Sequence, residues 1–297
     1  MPGLKEVRNR IASVTSTRQI TSAMKLVSAS KLKKAQDNIL KMRPYAQKLG
    51  EILANLSQDR DVFQESPYSA VRPPERILIV AFSSNKGLCG AYNANIVKRV
   101  MALVQEKYSD QNSRGQVDIL AIGRKAAGLL SRRGLRVTET FDHLVDKPTF
   151  AHTLPIVEKV MEDFRQGRYD EVVVVYNEFR TAASQNVQVE TFLPLNPDRF
   201  VMQGSTGATL RVEYIFQPSK DHILLNVIPT ALKTQFFRYL LDAQASEHGS
   251  RMTAMHKATD NAGELLRELR LSYNKARQAS ITKEILEIVA GAEALKG

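Results

Sequence analysis

The chain has little of what staples or anchors a protein. Of its 297 residues one is cysteine, Cys89, so no disulfide can form within it and a reducing location is the default expectation. No stretch approaches the roughly 18–20 uninterrupted apolar residues of a membrane span. The first 20 residues, MPGLKEVRNRIASVTSTRQI, have neither a continuous apolar core nor a small-residue cleavage site, so no secretory signal is expected there. The five histidines, at 143, 152, 222, 248 and 256, show no HExxH pattern and no short paired spacing. With one cysteine they make no recognisable zinc set, and no metal is expected.

What the chain does have is positive charge, unevenly placed. The net charge is +11, and residues 1–57 hold 11 Lys and Arg against 3 acids, while the rest of the chain is close to balanced. A basic end of this kind calls for a partner of opposite sign, either nucleic acid or acidic protein.

That basic end reads as one long helix. From Gly3 to Ser57 there are two glycines, Gly3 and Gly50, and one interior proline, Pro44. Leu4, Val7, Ile11, Val14, Arg18, Thr21, Lys25, Ser28, Leu32, Ala35, Ile39, Met42, Ala46, Leu49, Leu53 and Leu56 form a heptad seam, twelve of the sixteen being apolar. Between Arg18 and Ser28 the seam is expected to fail, with Ile20, Ala23, Met24 and Val27 taking over on a shifted face. Such a helix would run about 80 Å and needs a partner along its length. After Pro229 the chain again reads as helical to its end, about 100 Å if unbroken. One seam there is Ala258, Ala262, Leu265, Leu269, Ser272, Ala276 and Ala279; a second is Ile281, Ile285, Ile288, Ala292 and Leu295. The two ends are each other's obvious partners in an antiparallel coiled coil.

Between them the pattern changes. Residues 58–75 hold three prolines and no period, which marks a linker. ILIVAFSS (77–84), VDILAIG (117–123), RVTETF (136–141), DEVVVVYNEF (170–179), VQVETFLPL (187–195) and LRVEYIF (210–216) read as strands. Helical stretches reach Lys107 and Arg133 and cover about 154–166. Strands alternating with helices imply an open, Rossmann-like α/β sheet covered on both faces. The expected fold class is therefore α/β: a long antiparallel coiled coil of the N- and C-terminal helices with an inserted open α/β domain. The expected division is 1–60, 75–220 and 221–297.

Candidate chemistry is sparse. NKGLCG (85–90), at a strand-to-helix junction, invites a phosphate reading. It is neither G-x-G-x-x-G nor G-x-x-x-x-G-K-[ST], so a structural turn is favoured. Asp142 and Asp146 lie close in sequence, but a loop setting favours a solvated patch. No catalytic set and no cofactor site can be argued. The basic face, Lys25, Lys31, Lys33, Lys34, Lys41 and Lys48 with Arg8, Arg10 and Arg18, fits a solvated exterior, a nucleic-acid surface or an acidic protein surface. Nucleic acid is disfavoured because basic-region helices rarely carry a large α/β insert and no aromatic platform. In ARQASITKEILEIVAGAEAL the apolar residues occupy more than one face, Leu286 and Val289 adding to Ile281, Ile285 and Ile288. This tip suits an apolar sleeve made by another protein, with Arg277 and Gln278 as donors just before it.

Four separated blocks resemble the γ subunits of F-type ATP synthases. They are 11–36, SSNKGLCGAYN (83–93), RMTAMHKATDNAGELLREL (251–269), and Ile281-Thr282-Lys283-Glu284-Ile285-Leu286-Glu287 continuing to Gly291-Ala292. The last matches I-T-x-E-x-x-[DE]-x-x-x-G-A. The resemblance implies a non-catalytic rotor shaft inside a ring of α and β subunits, its α/β domain resting on the ε subunit and the c-ring, with no nucleic-acid partner. It implies contact with β through Arg277, Gln278 and Thr282, and through Met24 and Lys25 opposite an acidic lever segment. It implies contact with the c-ring through Tyr214 and Gln217, where the family commonly has Glu at the latter. Chloroplast members carry a redox-switched cysteine pair; Cys89 alone predicts no thiol regulation. The expected location is the cytoplasmic face of a bacterial inner membrane, peripheral to it.

Overall fold

The structure, a computed structural model, describes residues 4–56, 66–182, 184–195 and 220–294. The elements run α1 (Leu4–Leu56), β1 (Ile77–Phe82), α2 (Tyr92–Lys107), α3 (Ser109–Ser113), β2 (Val117–Ile122), α4 (Arg124–Ser131), β3 (Arg136–Phe141), α5 (His143–Asp146), α6 (Phe150–Arg165), β4 (Glu171–Phe179), β5 (Gln185–Leu193) and α7 (Lys220–Ala294). No described helix is long and apolar enough to cross a membrane. The residues form two compact units, one of 1–28 with 252–297 and one of 29–251.

In the larger unit the sheet order is β3-β2-β1-β4-β5. The first four strands are parallel, as βαβ crossovers require, and β5 returns antiparallel on β4. Side chains alternate between two cores. Ile77, Ile79, Ala81, Val173 and Val175 meet α2 and α4 on one face. Leu78, Val80, Phe82, Val172, Val174 and Tyr176 meet α6, α7 and Leu53 of α1 on the other. Because both faces are covered, β1 is apolar throughout and β2 and β4 carry apolar runs at ILAI and VVVVY, whereas edge strand β3 alternates exposed and half-buried residues.

The aromatic centre of the second core is Phe236, whose ring lies 5.5 Å from Phe82 and 5.6 Å from Phe192. Beside it, Tyr176 and Tyr239 stack at 4.6 Å and both donate to Glu190, each at 2.7 Å. One carboxylate thus ties β4, β5 and α7 together. Gly123 turns the chain after β2 at φ 101°, and an added Cβ would stand 2.3 Å from the Ser83 carbonyl oxygen. Glycine is required there by close approach and by conformation alike.

α7 begins at Lys220, upstream of the expected start after Pro229. A proline inside a helix costs one hydrogen bond and a clash, about 3 kcal/mol. Burial of Ile228, Ala231 and Leu232 around Pro229 offsets that cost here. α1 and α6 likewise run through Pro44 and Pro155. The strand expected at 210–216 lies outside the described residues.

In the smaller unit the first turns of α1 pair with the far part of α7. The expected break in the α1 seam occurs only in part, with Arg18 exposed and Met24 half-buried. Thr21 and Lys25 are half-buried and Ser28 is buried, while Ile20 and Val27 of the expected replacement face are exposed. The reason is a matching polar stretch on the partner. Thr259 Oγ1 donates to Thr21 Oγ1 at 2.9 Å. Lys25 Nζ lies 3.4 Å from His256 Nδ1, and Gly263 leaves room for Arg18, whose Nε would be 3.8 Å from a Cβ placed there. On α7 the residues turned inward include Met255, Ala258, Thr259, Ala262, Leu266, Leu269, Tyr273, Ala276 and Ser280. The expected seam shares Ala258, Ala262, Leu269 and Ala276 with this set but takes Leu265, Ser272 and Ala279 where Leu266, Tyr273 and Ser280 are packed; Leu265 is exposed.

Candidate functional site

The residues singled out on the shaft fall in two places. Met24 and Lys25 are both half-buried on α1. Lys25 is held across the seam by His256, whose Nδ1 also lies 3.2 Å from Asp260 Oδ2 one turn on. His256 thus bridges a cation on α1 and a carboxylate on its own helix. Sequence reading missed His256 and Asp260. Their i,i+4 spacing on α7 is a local signal, but the cross-helix register that brings them to Lys25 is not.

Arg277, Gln278 and Thr282 are exposed. Thr282 Oγ1 donates back to the Gln278 carbonyl at 2.9 Å, as threonine commonly does inside helices. Among the described residues neither the Arg277 guanidinium nor the Gln278 amide has an ion-pair or hydrogen-bond partner, so five guanidinium N–H donors and one amide face outward. The pairings of Arg18, Thr21 and Lys25 set the antiparallel register, and continuing it places Leu4 opposite about Ala276. Residues 281–293 project past that point, and every one is exposed. Ile281, Ile285, Leu286, Ile288 and Val289 are each 49–71% exposed. Lys25 and Arg277 are separated by roughly 30 Å along the shaft, 21 residues at 1.5 Å each. They are two contact points and not one site.

In the larger unit the NKGLCG loop is a structural turn. Leu88 and Gly90 have φ of 61° and 57°. Asn93 Oδ1 accepts from the Ser84 amide at 3.0 Å, Ser84 Oγ donates to the Lys86 carbonyl at 2.6 Å, and Asn93 Nδ2 donates to Ser84 Oγ at 2.8 Å. From α7, Arg251 donates to the Lys86 and Gly87 carbonyls at 3.1 and 3.4 Å. The loop therefore turns carbonyl oxygens toward a cation, the wrong polarity for a phosphate cradle. Arg251 also pairs with Glu247 at 2.6 Å, both largely buried. Burial pushes the Glu247 carboxyl up, with Arg251 opposing. Tyr92 and Ser246 add bonds to the Ala243 and Asn177 carbonyls, each at 3.0 Å. The loop is a clasp between sheet edge and α7.

Asp142 and Asp146 are engaged separately. Asp142 pairs with Arg124 at 3.0 Å and Asp146 accepts from Asn85 at 3.0 Å, so neither is poised as an acid–base partner of the other. Cys89 is buried. Among the described residues no cluster of His, Cys, Asp and Glu could hold a metal. Tyr214 and Gln217 lie outside the described residues.

Comparison with known proteins places this architecture. A family model described as ATP synthase matches residues 3–295. The chain is 52% identical to the ATP synthase gamma chain of Flavobacterium psychrophilum over 297 residues, all of both chains. It is 49% identical to that of Cytophaga hutchinsonii over 295 residues, 99% of each. Among solved structures, the central stalk and c-ring of the Tetrahymena thermophila mitochondrial ATP synthase holds a chain 26% identical. The match there covers 80% of this chain and 99% of that one, with a TM-score of 0.60. A chain of the Euglena gracilis mitochondrial enzyme has a TM-score of 0.67 at 20% identity, covering 98% of this chain and 94% of that one; it shares the fold. The class is thus a subunit of an ATP synthase. Within that class, the chain belongs to the gamma-chain family.

Proposed function

We propose that this chain is the central rotor shaft of an F-type ATP synthase, turning inside a ring of α and β subunits and carrying torque between the membrane c-ring and the catalytic β sites. The observation that carries this reading is the projecting end of α7. Five large apolar residues stand in water there, directly after an arginine and a glutamine with no partner of their own among the described residues. A projecting single helix with this much exposed apolar surface is marginal in water and is stabilised by a sleeve. Contacts that must slide favour apolar surface over fixed hydrogen bonds.

On this reading Arg277, Gln278 and Thr282 touch a loop of β, and Met24 with Lys25 faces the acidic lever segment of β. Tyr214 and Gln217 form the foot on the c-ring, and the ε subunit docks on the α/β domain. Functionally the chain then divides into shaft helix 1–60, foot 75–220 and shaft helix 221–297. ATP chemistry belongs to β, this subunit being non-catalytic. The complex sits on the cytoplasmic face of a bacterial inner membrane, with this chain peripheral to it.

Co-expression with the α and β subunits of the same source tests the proposal. One copy per three α and three β, with ATP hydrolysis depending on its presence, is expected. An Arg277→Ala or Gln278→Ala chain should assemble poorly or lose coupled turnover while its α/β domain stays folded. A chain that elutes alone, or binds DNA with steep salt dependence, overturns the reading.

A further inference from the structure

At the amino end of the parallel strands in the larger unit, turn 71–75, α3 and the ends of α2, α4 and α6 meet. Gln111 of α3 donates to the Pro74 carbonyl at 2.9 Å, Arg72 to the Phe164 carbonyl of α6 at 3.0 Å, and the Arg76 amide to Asp170 at 2.9 Å. Charge is layered here. Arg76, Lys107, Arg136 and Arg168 pair with Asp170, Glu171, Asp118 and Asp163. The four cationic side chains are 51–65% exposed and the four carboxylates 8–16%, so each pair points its positive end outward. Arg114 after α3 and Arg132 and Arg133 after α4 are exposed at the same end, and none makes an ion pair or side-chain hydrogen bond with another described residue. Of the exposed acids here, Glu106 and Glu162 are held by Arg99 and Arg165, which leaves Glu75 and Asp110. Cations layered over buried carboxylates give this end an outward positive potential even where the charges cancel in sum.

A second feature is independent of the charge. Val71 is 85% exposed, the most of any large apolar residue among those described, and Pro73 and Pro74 beside it are exposed as well. The turn that carries them is held from both sides. The Glu75 amide donates to the Pro73 carbonyl at 2.9 Å, Gln111 holds Pro74, and the Arg72 guanidinium lies 5.2 Å from the centre of the Phe164 ring. An apolar tip is thus kept in water by a built support, at the end of the domain where the arginines point out.

We infer that the amino end of the sheet docks on an anionic lipid surface, with Val71 entering the headgroup layer and Arg114, Arg132 and Arg133 pairing with lipid phosphates. The planar guanidinium matches a phosphate with two parallel N–H donors. Interfacial binding adds buried apolar area to attraction by anionic headgroups, and this surface offers both. Arg136 and Arg168 stand at the starts of β3 and β4, three strand spacings apart, roughly 14 Å at 4.8 Å each. No single phosphate spans that width, whereas a layer of headgroups does. Orientation agrees. Helix α7 enters the domain from this end, since Lys233 reaches Glu158 midway along α6, Phe237 meets Phe150 at the start of α6, and Ser246 bonds the Asn177 carbonyl late in β4. Tyr214 and Gln217, set on the c-ring above, directly precede Lys220 in sequence. The choice of a membrane as the occupant rests on that rotor reading; the charge layer and the apolar tip do not.

The test is co-sedimentation of the full-length chain, near physiological salt, with vesicles of phosphatidylglycerol and phosphatidylcholine in equal parts and with vesicles of phosphatidylcholine alone. The chain should favour the anionic vesicles. Its basic α1 attracts them too, so the comparison of variants decides. Arg114→Gln/Arg132→Gln/Arg133→Gln should weaken binding about tenfold or more, while Lys98→Gln/Lys125→Gln/Lys257→Gln, which removes the same charge elsewhere, should weaken it less than about threefold. Val71→Asp should weaken it by about threefold or more. All seven positions are exposed, so folding is preserved, and a circular dichroism melt checks it. Cys89 is buried, so an environment-sensitive fluorophore can be placed on Val71→Cys alone. Its emission should shift to the blue on anionic vesicles, and that of the same dye on Lys125→Cys, at the carboxyl end of the sheet, should not. Equal losses in the two triple variants, an unmoved dye at position 71, no preference for anionic vesicles, or hexaglutamate binding that displaces the vesicles would each overturn the proposal. Vesicle binding needs neither α nor β. A chain that assembles with them but fails here overturns this surface alone, and one that fails to assemble overturns the rotor reading.

Discussion

Between Ile228 and Gly249 helix α7 leaves no residue exposed, whereas between Ile281 and Glu293 it exposes every one. The two stretches belong to one unbroken helix and both are rich in apolar side chains. They differ in what stands opposite. The first lies against a sheet face that supplies Phe82, Phe192 and Tyr176; the second runs past the point that α1 reaches. Apolarity in a helix thus states a demand for burial, and the chain meets it at one end and leaves it open at the other. Helix stability follows the same division, since an isolated turn of helix is marginal without packing.

The sharpest way to break this contrast is in the packed stretch. Phe236→Ala removes the ring between Phe82 and Phe192 and should cost about 3–5 kcal/mol, read from the urea midpoint of the full chain. A smaller loss should follow Arg251→Met, which strands the buried Glu247 carboxylate, at about 3 kcal/mol. Adding Glu247→Leu should recover much of it, whereas no recovery would show that the bonds to the loop carbonyls matter more.

Two groups in the packed stretch should tilt stability against pH in opposite senses. Burial raises the Asp242 carboxyl to about 6, with Arg238 opposing. Its contribution is complete below its ordinary range and is lost as pH rises through about 6. His248, pushed down by burial and then by Arg251 and Lys31, contributes fully above its ordinary range and loses it as pH falls toward about 4. Asp242→Asn should therefore stabilise at pH 7.5 relative to pH 4.5, by of order 1 kcal/mol given its partial exposure. His248→Gln should do the reverse, improving the acid side. Midpoints at the two pH values that move together would refute the assignment.

The glycines of α7 give a finer comparison. At Gly249 an added Cβ would sit 3.2 Å from the Ala182 carbonyl oxygen, so alanine there should destabilise by about 1 kcal/mol. At Gly263 the nearest atom is Arg18 Nε at 3.8 Å, so alanine should be neutral or gain up to about 1 kcal/mol from helix propensity. The smallest effect on stability belongs to the projecting end. Ile285→Ala with Ile288→Ala should shift the midpoint by less than about 0.5 kcal/mol, because neither side chain is buried. The same pair should weaken assembly with α and β. If stability falls as much as for Phe236→Ala, the exposed end is packed in solution and the contrast fails.

Much of the fold was legible because buried strands and amphipathic helices leave plain periods. VVVVY in β4 and the α1 seam needed no structure to be read. The α7 phase was missed by one residue because Leu265 and Leu266 are adjacent and the alternatives at 272 and 279 are small residues that fit either side of a seam. The expected failure of the α1 seam had the opposite cause: Thr21, Lys25 and Ser28 look like a gap until Thr259 and His256 are seen across from them. Arg277 and Gln278 were visible as donors beside an apolar tip. The clasp at the NKGLCG loop was not, because Lys86 and Arg251 lie far apart in the chain and meet only through the topology.

The hydroxyl pair of Thr21 and Thr259 has a mechanical meaning. In a seam made only of interchangeable aliphatic side chains, one helix can slide along the other by a heptad at modest cost. Here a slide of seven residues would set Thr21 against Met252 or Leu266 and leave the Lys25–His256–Asp260 group unmatched. The polar stretch works as the key in a keyed axle: load applied at one end goes into twisting the pair and not into shearing one strand past the other.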